Sequence, residues 1–129
     1  MTPDRFFVAA SGVVGFLGVA LGAFGAHGLR SRLEALPEFA RRMEWWETAA
    51  RYQLIHALAL GLAAYLCTRT EAVAPRIAGG GFLVGVLVFS GSLYAMTLGA
   101  PRWLGAVTPI GGLAFLVGWA CVVWSALAR

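Results

Sequence analysis

Eight polar side chains interrupt long hydrocarbon stretches in this chain: His27, Gln53, His56, Ser90, Ser92, Tyr94, Thr97 and Thr108. An imidazole can serve as base, proton carrier, metal ligand or hydrogen-bonding head. A hydroxyl or phenol can donate to a bound group, or attack one once a base activates it. Spacing sorts them further. Tyr52 and His56 are four residues apart, Gln53 and His56 three, and Ser90 and Tyr94 four, so each set shares one helix face. Acid–base chemistry would pair His56 with Tyr94 or a serine, but no Asp or Glu stands beside that imidazole to orient it, which counts against an enzyme. Cys67 and Cys121 lack metal-ligand spacing and read as small buried hydrophobes, so no zinc set is formed.

The elements that position these residues follow from composition. Hydrophobic residues make up 60% of the 129 and charged residues 12%, against about 45–50% and 25% in soluble domains. So small a body cannot hide that much apolar surface in water, which excludes a soluble enzyme, a disordered tail, a disulfide scaffold and a nucleic-acid binder. The ten basic residues are all Arg and give a net charge of +4, but they are scattered over termini and connections and form no basic stripe. A span of about 19 residues crosses the hydrocarbon layer. Four charge-free stretches approach or exceed it, at residues 6–28, 52–67, 77–100 and 103–127. The expected fold is therefore all-α: one integral membrane domain over residues 1–129, an antiparallel bundle of four transmembrane helices. The first stretch exceeds the roughly 7–15 apolar residues of a cleaved signal peptide, so it is expected to remain as an anchored helix. No Asp, Glu, Lys or Arg lies within these stretches, which removes the intramembrane carboxylate or base of ion-coupled transporters and pumps.

Residues 31–51 form the long polar connection. Ser31 and Glu34 have capping-box spacing, and Pro37 with Glu38 suits a helix start. Phe39, Met43, Trp46 and Ala50 then recur on one face, while Glu38 with Arg42 and Glu47 with Arg51 are opposite charges four apart. An amphipathic interfacial helix is expected, lying on the membrane or running straight into the second span, with Trp45 and Trp46 as interfacial anchors. Six arginines fall on this side (Arg30, Arg32, Arg41, Arg42, Arg51 and Arg102) and four on the terminal side (Arg5, Arg69, Arg76 and Arg129). That difference is too small to orient the chain.

Glycines set the packing. Gly12, Gly15, Gly18, Gly22 and Gly25 form a stripe on the first span, and Gly81 and Gly85 offer the same on the third. Such stripes let backbones approach closely within the bundle or across a homo-oligomer. Pro109, two turns into the fourth span, predicts a kink or a bent start. With spans alternating in direction, each of the eight polar groups maps to the arginine-rich half. His27, Gln53, His56, Ser90, Ser92, Tyr94 and Thr108 are thus candidate ligand-binding residues around one pocket. Haem or metal through His27 and His56 is disfavoured, because about 10 Å of depth separates them at 1.5 Å per residue.

Four segments carry a family resemblance: G-A-F-G-A-H-G-L at residues 22–29, Y-Q-L-I-H at 52–56, F-S-G-S-L-Y at 89–94 and T-P-I-G-G-L-A-F-L-V-G-W at 108–119. In order and spacing the chain resembles domain-of-unknown-function family 423, the small YgdD-like inner-membrane proteins. The resemblance implies four transmembrane helices and a multi-pass inner-membrane location, and it brings no activity, cofactor or catalytic residue. The expected function is binding of a lipid, a quinone-like molecule or another amphiphile, or of a partner subunit, in the polar pocket. The alternative is a small oligomeric transporter or channel. A lipid-head-group enzyme is the weakest reading.

Overall fold

The computed structural model describes residues 1–128; Arg129, counted above among the terminal-side arginines, lies outside the described residues. The described residues form helices and connections without strands. Helix α1 runs Pro3–Leu33, α2 Phe39–Arg69, α3 Ala74–Thr97 and α4 Arg102–Leu127. Of these, α1, α3 and α4 are long and apolar enough to cross a membrane. Prolines punctuate the elements. Pro3, Pro75 and Pro109 stand in the first helical positions of α1, α3 and the α-helical part of α4, where a missing N–H costs nothing. Pro109 therefore starts a helix and kinks none, since residues Arg102–Ala106 before it form a 3-10 turn.

The polar connection takes the second of its two expected courses, running straight into α2. Residues 31–33 continue α1, and Ser31 caps nothing: its Oγ donates to the Gly28 carbonyl at 3.0 Å. Residues 39–51 are the first turns of α2, which runs unbroken for 31 residues, about 46 Å at 1.5 Å per residue. The stripe of Phe39, Met43, Trp46 and Ala50 faces the bundle core. An amphipathic helix on a surface and one edge of a bundle have the same period, and only the partner distinguishes them. Glu38, the residue before α2, takes a left-handed conformation (φ 59°), which lets the chain reverse from α1.

The helices pack antiparallel as two hairpins, α1 on α2 and α3 on α4, joined through α2 and α3. Glycines fix the first and last seams. A side chain on Gly18 would meet Leu54 at 2.8 Å, one on Gly25 would meet Trp46 at 2.4 Å, and one on Gly81 would meet the Ala114 carbonyl at 2.8 Å. Gly15, Gly22 and Gly85 lie against Ala57, Ala50 and Phe115. Single π-turns at Gly25–Leu29 in α1 and Val86–Ser90 in α3 shift the helical phase. The second ends on Ser90, which it turns toward α2.

These contacts set the register. Ala50 faces Gly22, and Ala49 accepts from Ser90, so residues 47–51 of α2 are level with uncharged turns of α1 and α3. Glu47 and Arg51 thus stand inside the layer that the other helices leave free of charge. Helices α1, α3 and α4 carry apolar stretches long enough to cross a membrane, whereas α2 carries Glu47 and Arg51 level with uncharged turns of its neighbours.

Candidate functional site

The polar residues occupy the seams around α2. Gln53, buried, donates its amide to the Val14 carbonyl of α1 at 3.0 Å and accepts from the Tyr94 hydroxyl of α3 at 2.7 Å. One carboxamide therefore ties three helices. Tyr94 also packs edge-on against Trp46, with ring centroids 4.5 Å apart. Trp46 in turn donates its indole N–H to the Leu21 carbonyl at 2.8 Å. Trp46 is thus inside the bundle at 3% exposure, while Trp45 is half-buried against the loop-side core.

His56 faces α4. Its Nδ1 lies 2.7 Å from the Tyr52 carbonyl, and its Nε2 lies 3.1 Å from the indole N–H of Trp119. A carbonyl only accepts and an indole only donates, so the imidazole is neutral with its proton on Nδ1. Its ring stacks on Phe115 with centroids 3.6 Å apart. Ser90 donates to the Ala49 carbonyl at 2.8 Å. Ser92 and Thr108 share a hydrogen bond of 2.6 Å between α3 and α4. Thr97, fully buried, donates to the Arg42 carbonyl at 3.1 Å, and the Arg42 guanidinium returns a bond to the Thr97 carbonyl at 2.9 Å.

Gln53, His56, Ser90, Ser92, Tyr94 and Thr108 are thus drawn into hydrogen-bonded seams. His27 is not: it is exposed on α1, level with the turn of α2 near Trp45 and roughly 16 Å along the axis from His56. The structure does not bring the two imidazoles together, so the pairing considered for haem or metal has no geometry to support it. Among the described residues no buried side-chain nitrogen or oxygen lacks a partner. Two open cavities lie elsewhere. One of about 470 Å³ beside α1 and α3 is lined by apolar residues, including Ala10, Val13, Val14, Leu17, Leu83 and Leu87. The other, about 300 Å³, sits at the terminal end near Arg69, Thr70, Trp124 and Ser125.

Sequence reasoning missed Trp119, Ser11 and the Glu38 cluster. Trp119 carries an N–H that seeks an acceptor within an apolar stretch, which was the available signal. Ser11 donates to the Ala57 carbonyl at 2.7 Å. At the loop end Glu38 pairs with Arg41 at 3.2 Å and with Arg102, not with Arg42, which instead donates to the Pro37 carbonyl. The Arg102 hydrogen bond above all holds the Glu38 carboxyl below its ordinary value, with Arg102, Arg41 and Arg42 adding charge, and Glu38 raises Arg102 in return.

Fold and seams together define a small all-helical membrane protein whose interior polar groups are already paired. The chain belongs to the DUF423 family, described as a protein of unknown function, whose profile matches residues 21–112. It is 39% identical over 125 residues to the inner membrane protein YgdD of the UPF0382 group from Escherichia coli, covering 96% of this chain and 91% of that one. It is 34% identical over 124 residues to the membrane protein YwdK of Bacillus subtilis, covering 95% and 97%. A UPF0382 membrane protein of Haemophilus influenzae is 43% identical over 105 residues, covering 81% and 80%. No solved structure matches.

Proposed function

We propose that the chain crosses the bacterial inner membrane four times and acts there as a non-enzymatic binding protein. A lipid or quinone-like amphiphile lays its hydrocarbon tail in the groove between α1 and α3. One observation carries this reading: interior polar groups are mutually satisfied, while the groove of about 470 Å³ is apolar throughout its lining. A ligand at the polar seam would have to displace an existing bond, such as that of Trp119 to His56. A hydrocarbon chain in the groove displaces only bulk lipid. The seam then serves the groove from behind, because Gln53 fastens the backbone of Val14, whose side chain lines it. This moves the binding site from the arginine-rich half to the terminal half. In this reading α2 supplies the remaining crossing, and its first turns stand upright in the headgroup layer, the straight course of the two expected for them.

A transporter or channel would need a polar path through the terminal half, where Phe7, Leu60, Ala63 and Phe82 pack the core. An enzyme using His56 as its base would need a free lone pair on that ring, and its Nε2 is engaged.

The test is native mass spectrometry of amphiphile retained through purification. Val13→Trp and Leu87→Trp, which fill the groove, should strip the bound molecule, whereas Leu113→Trp on the outside of α4 should not. Equal retention in all three would sink the reading.

A further inference from the structure

We infer that the outer face of α2 is an interface with a second copy of this chain. The inference rests on the four-crossing reading above. Helix α1 covers one flank of α2 and α3 the other, which leaves Glu44, Glu47, Arg51, Ile55, Leu58 and Leu62 pointing away from the bundle. Ile55, Leu58 and Leu62 are 48%, 78% and 38% exposed, at the alternating spacing of four and three that makes a helix-pairing seam.

The charged half of this face does not belong against lipid. Ala50 faces Gly22 of α1, and Gly22 lies eight residues, roughly 12 Å, below Arg30, the nearest charge on that helix. Arg51 therefore sits more than two turns below the level at which α1 becomes charged, and Glu47 one turn nearer to it. The ion pairs of the described residues are Arg41–Glu38, Arg76–Glu71 and Arg102–Glu38. Glu47 and Arg51 are in none of them. A charge exposed at that depth is expensive and calls for a partner.

A second copy supplies that partner by symmetry. Two copies inserted in the same orientation are related by a two-fold axis along the membrane normal, so their α2 helices run parallel and each face meets itself. Glu47 and Arg51 differ by four residues, a rise of about 6 Å, within the reach of an arginine. Arg51 of each copy then meets Glu47 of the other, twice per interface, while Ile55, Leu58 and Leu62 pack below. The face is self-complementary in charge, which neither lipid nor an unrelated apolar helix matches.

Cross-linking of the full chain in native membranes tests this, in a background carrying Cys67→Ala and Cys121→Ala. Ile55→Cys and Leu58→Cys should each form disulfide-linked dimers under mild oxidation, whereas Val19→Cys on α1 and Leu113→Cys on α4 should not. Arg51→Glu alone should lose the Leu58→Cys dimer, and Glu47→Arg combined with Arg51→Glu should regain it. Monomer throughout, cross-links only on α1 or α4, or no recovery in the double exchange overturns the interface. So does rapid labelling of Arg51→Cys by a membrane-impermeant maleimide without cross-linking, which marks a water-filled path instead. Carbonate extraction of the same membranes separates the two readings: a chain released by carbonate defeats the four-crossing reading, whereas a retained monomer defeats only the interface.

Discussion

Trp119 gives its indole proton to Nε2 of His56 across the α2–α4 seam at 3.1 Å, while Nδ1 of the same ring lies 2.7 Å from the Tyr52 carbonyl. Both ring nitrogens are thereby used, and the tautomer is fixed by the chemistry of the partners. Trp119→Phe keeps an aromatic ring and removes the donor, leaving Nε2 unpaired among Phe82 and Phe115. Interhelical bonds of this kind average about 0.6 kcal/mol in membrane proteins and reach roughly 1.7. Thermal unfolding in detergent should therefore fall modestly for Trp119→Phe. It should fall further for His56→Ala, which also opens a cavity beside Phe115. An unchanged midpoint for both would mean the bond contributes nothing.

Gln53 and Tyr94 form a bridge whose two halves differ in consequence. Tyr94→Phe deletes one donor and leaves the Gln53 carbonyl oxygen unpaired. Gln53→Ala also releases the Val14 carbonyl and leaves the Tyr94 hydroxyl orphaned. Stability should drop more for Gln53→Ala, by about 1–3 kcal/mol, than for Tyr94→Phe. A double-mutant cycle between the two should show coupling of roughly 0.5 kcal/mol or more. Additivity would show that the bridge does not couple the helices.

Much of this was legible beforehand, for identifiable reasons. The apolar runs around Val14, Phe82 and Phe115 announced helices, because lipid or a buried bundle gives such stretches no other backbone solution. The polar set was also found, since a Gln or His in hydrocarbon is conspicuous. Its state was not. Whether His56 faces a cavity or an indole depends on which residue of α4 lies opposite, and that register follows from Gly111 and Gly118 meeting Phe89 and Phe82, a fact of packing with no signature in the sequence of α2. The straight course of α2 was one of two that the sequence left open, for a related reason. Periodicity showed that Met43 and Trp46 share a face, but not that α1 would extend far enough to cover them.

The glycines are not equivalent, and the difference is measurable. A methyl on Gly111 would come within 2.3 Å of the Phe89 backbone nitrogen, which cannot move aside, whereas one on Gly12 meets nothing within 4 Å. Gly111→Ala should push α3 and α4 apart and cost several times more than an ordinary surface change, about 1–3 kcal/mol as for overpacking. Gly12→Ala should be neutral or stabilising by up to about 1 kcal/mol, since alanine favours helix. Equal effects in unfolding experiments would contradict the α3–α4 seam.

Glu38 makes the loop end respond to acid. Its carboxylate joins Arg102 and Arg41, and so ties the start of α2 to the start of α4. The Arg102 bond lowers the carboxyl below its ordinary value of 4.5. A carboxyl that is more acidic when folded stabilises the fold fully above its unfolded value, and that contribution is lost as pH falls through the folded value. Wild type should therefore unfold at a higher temperature than Glu38→Gln at pH 7, and the two curves should converge as pH drops below 4. The pair is exposed to solvent, so 1 M salt should shrink the difference at pH 7 as well. Other carboxylates titrate in the same range, which is why the quantity to follow is the gap between the two proteins and not either midpoint alone. Glu38→Gln keeps a side chain on the left-handed backbone, so that strain cancels in the comparison, and a gap that persisted unchanged to pH 3 would remove the ion pair from the account.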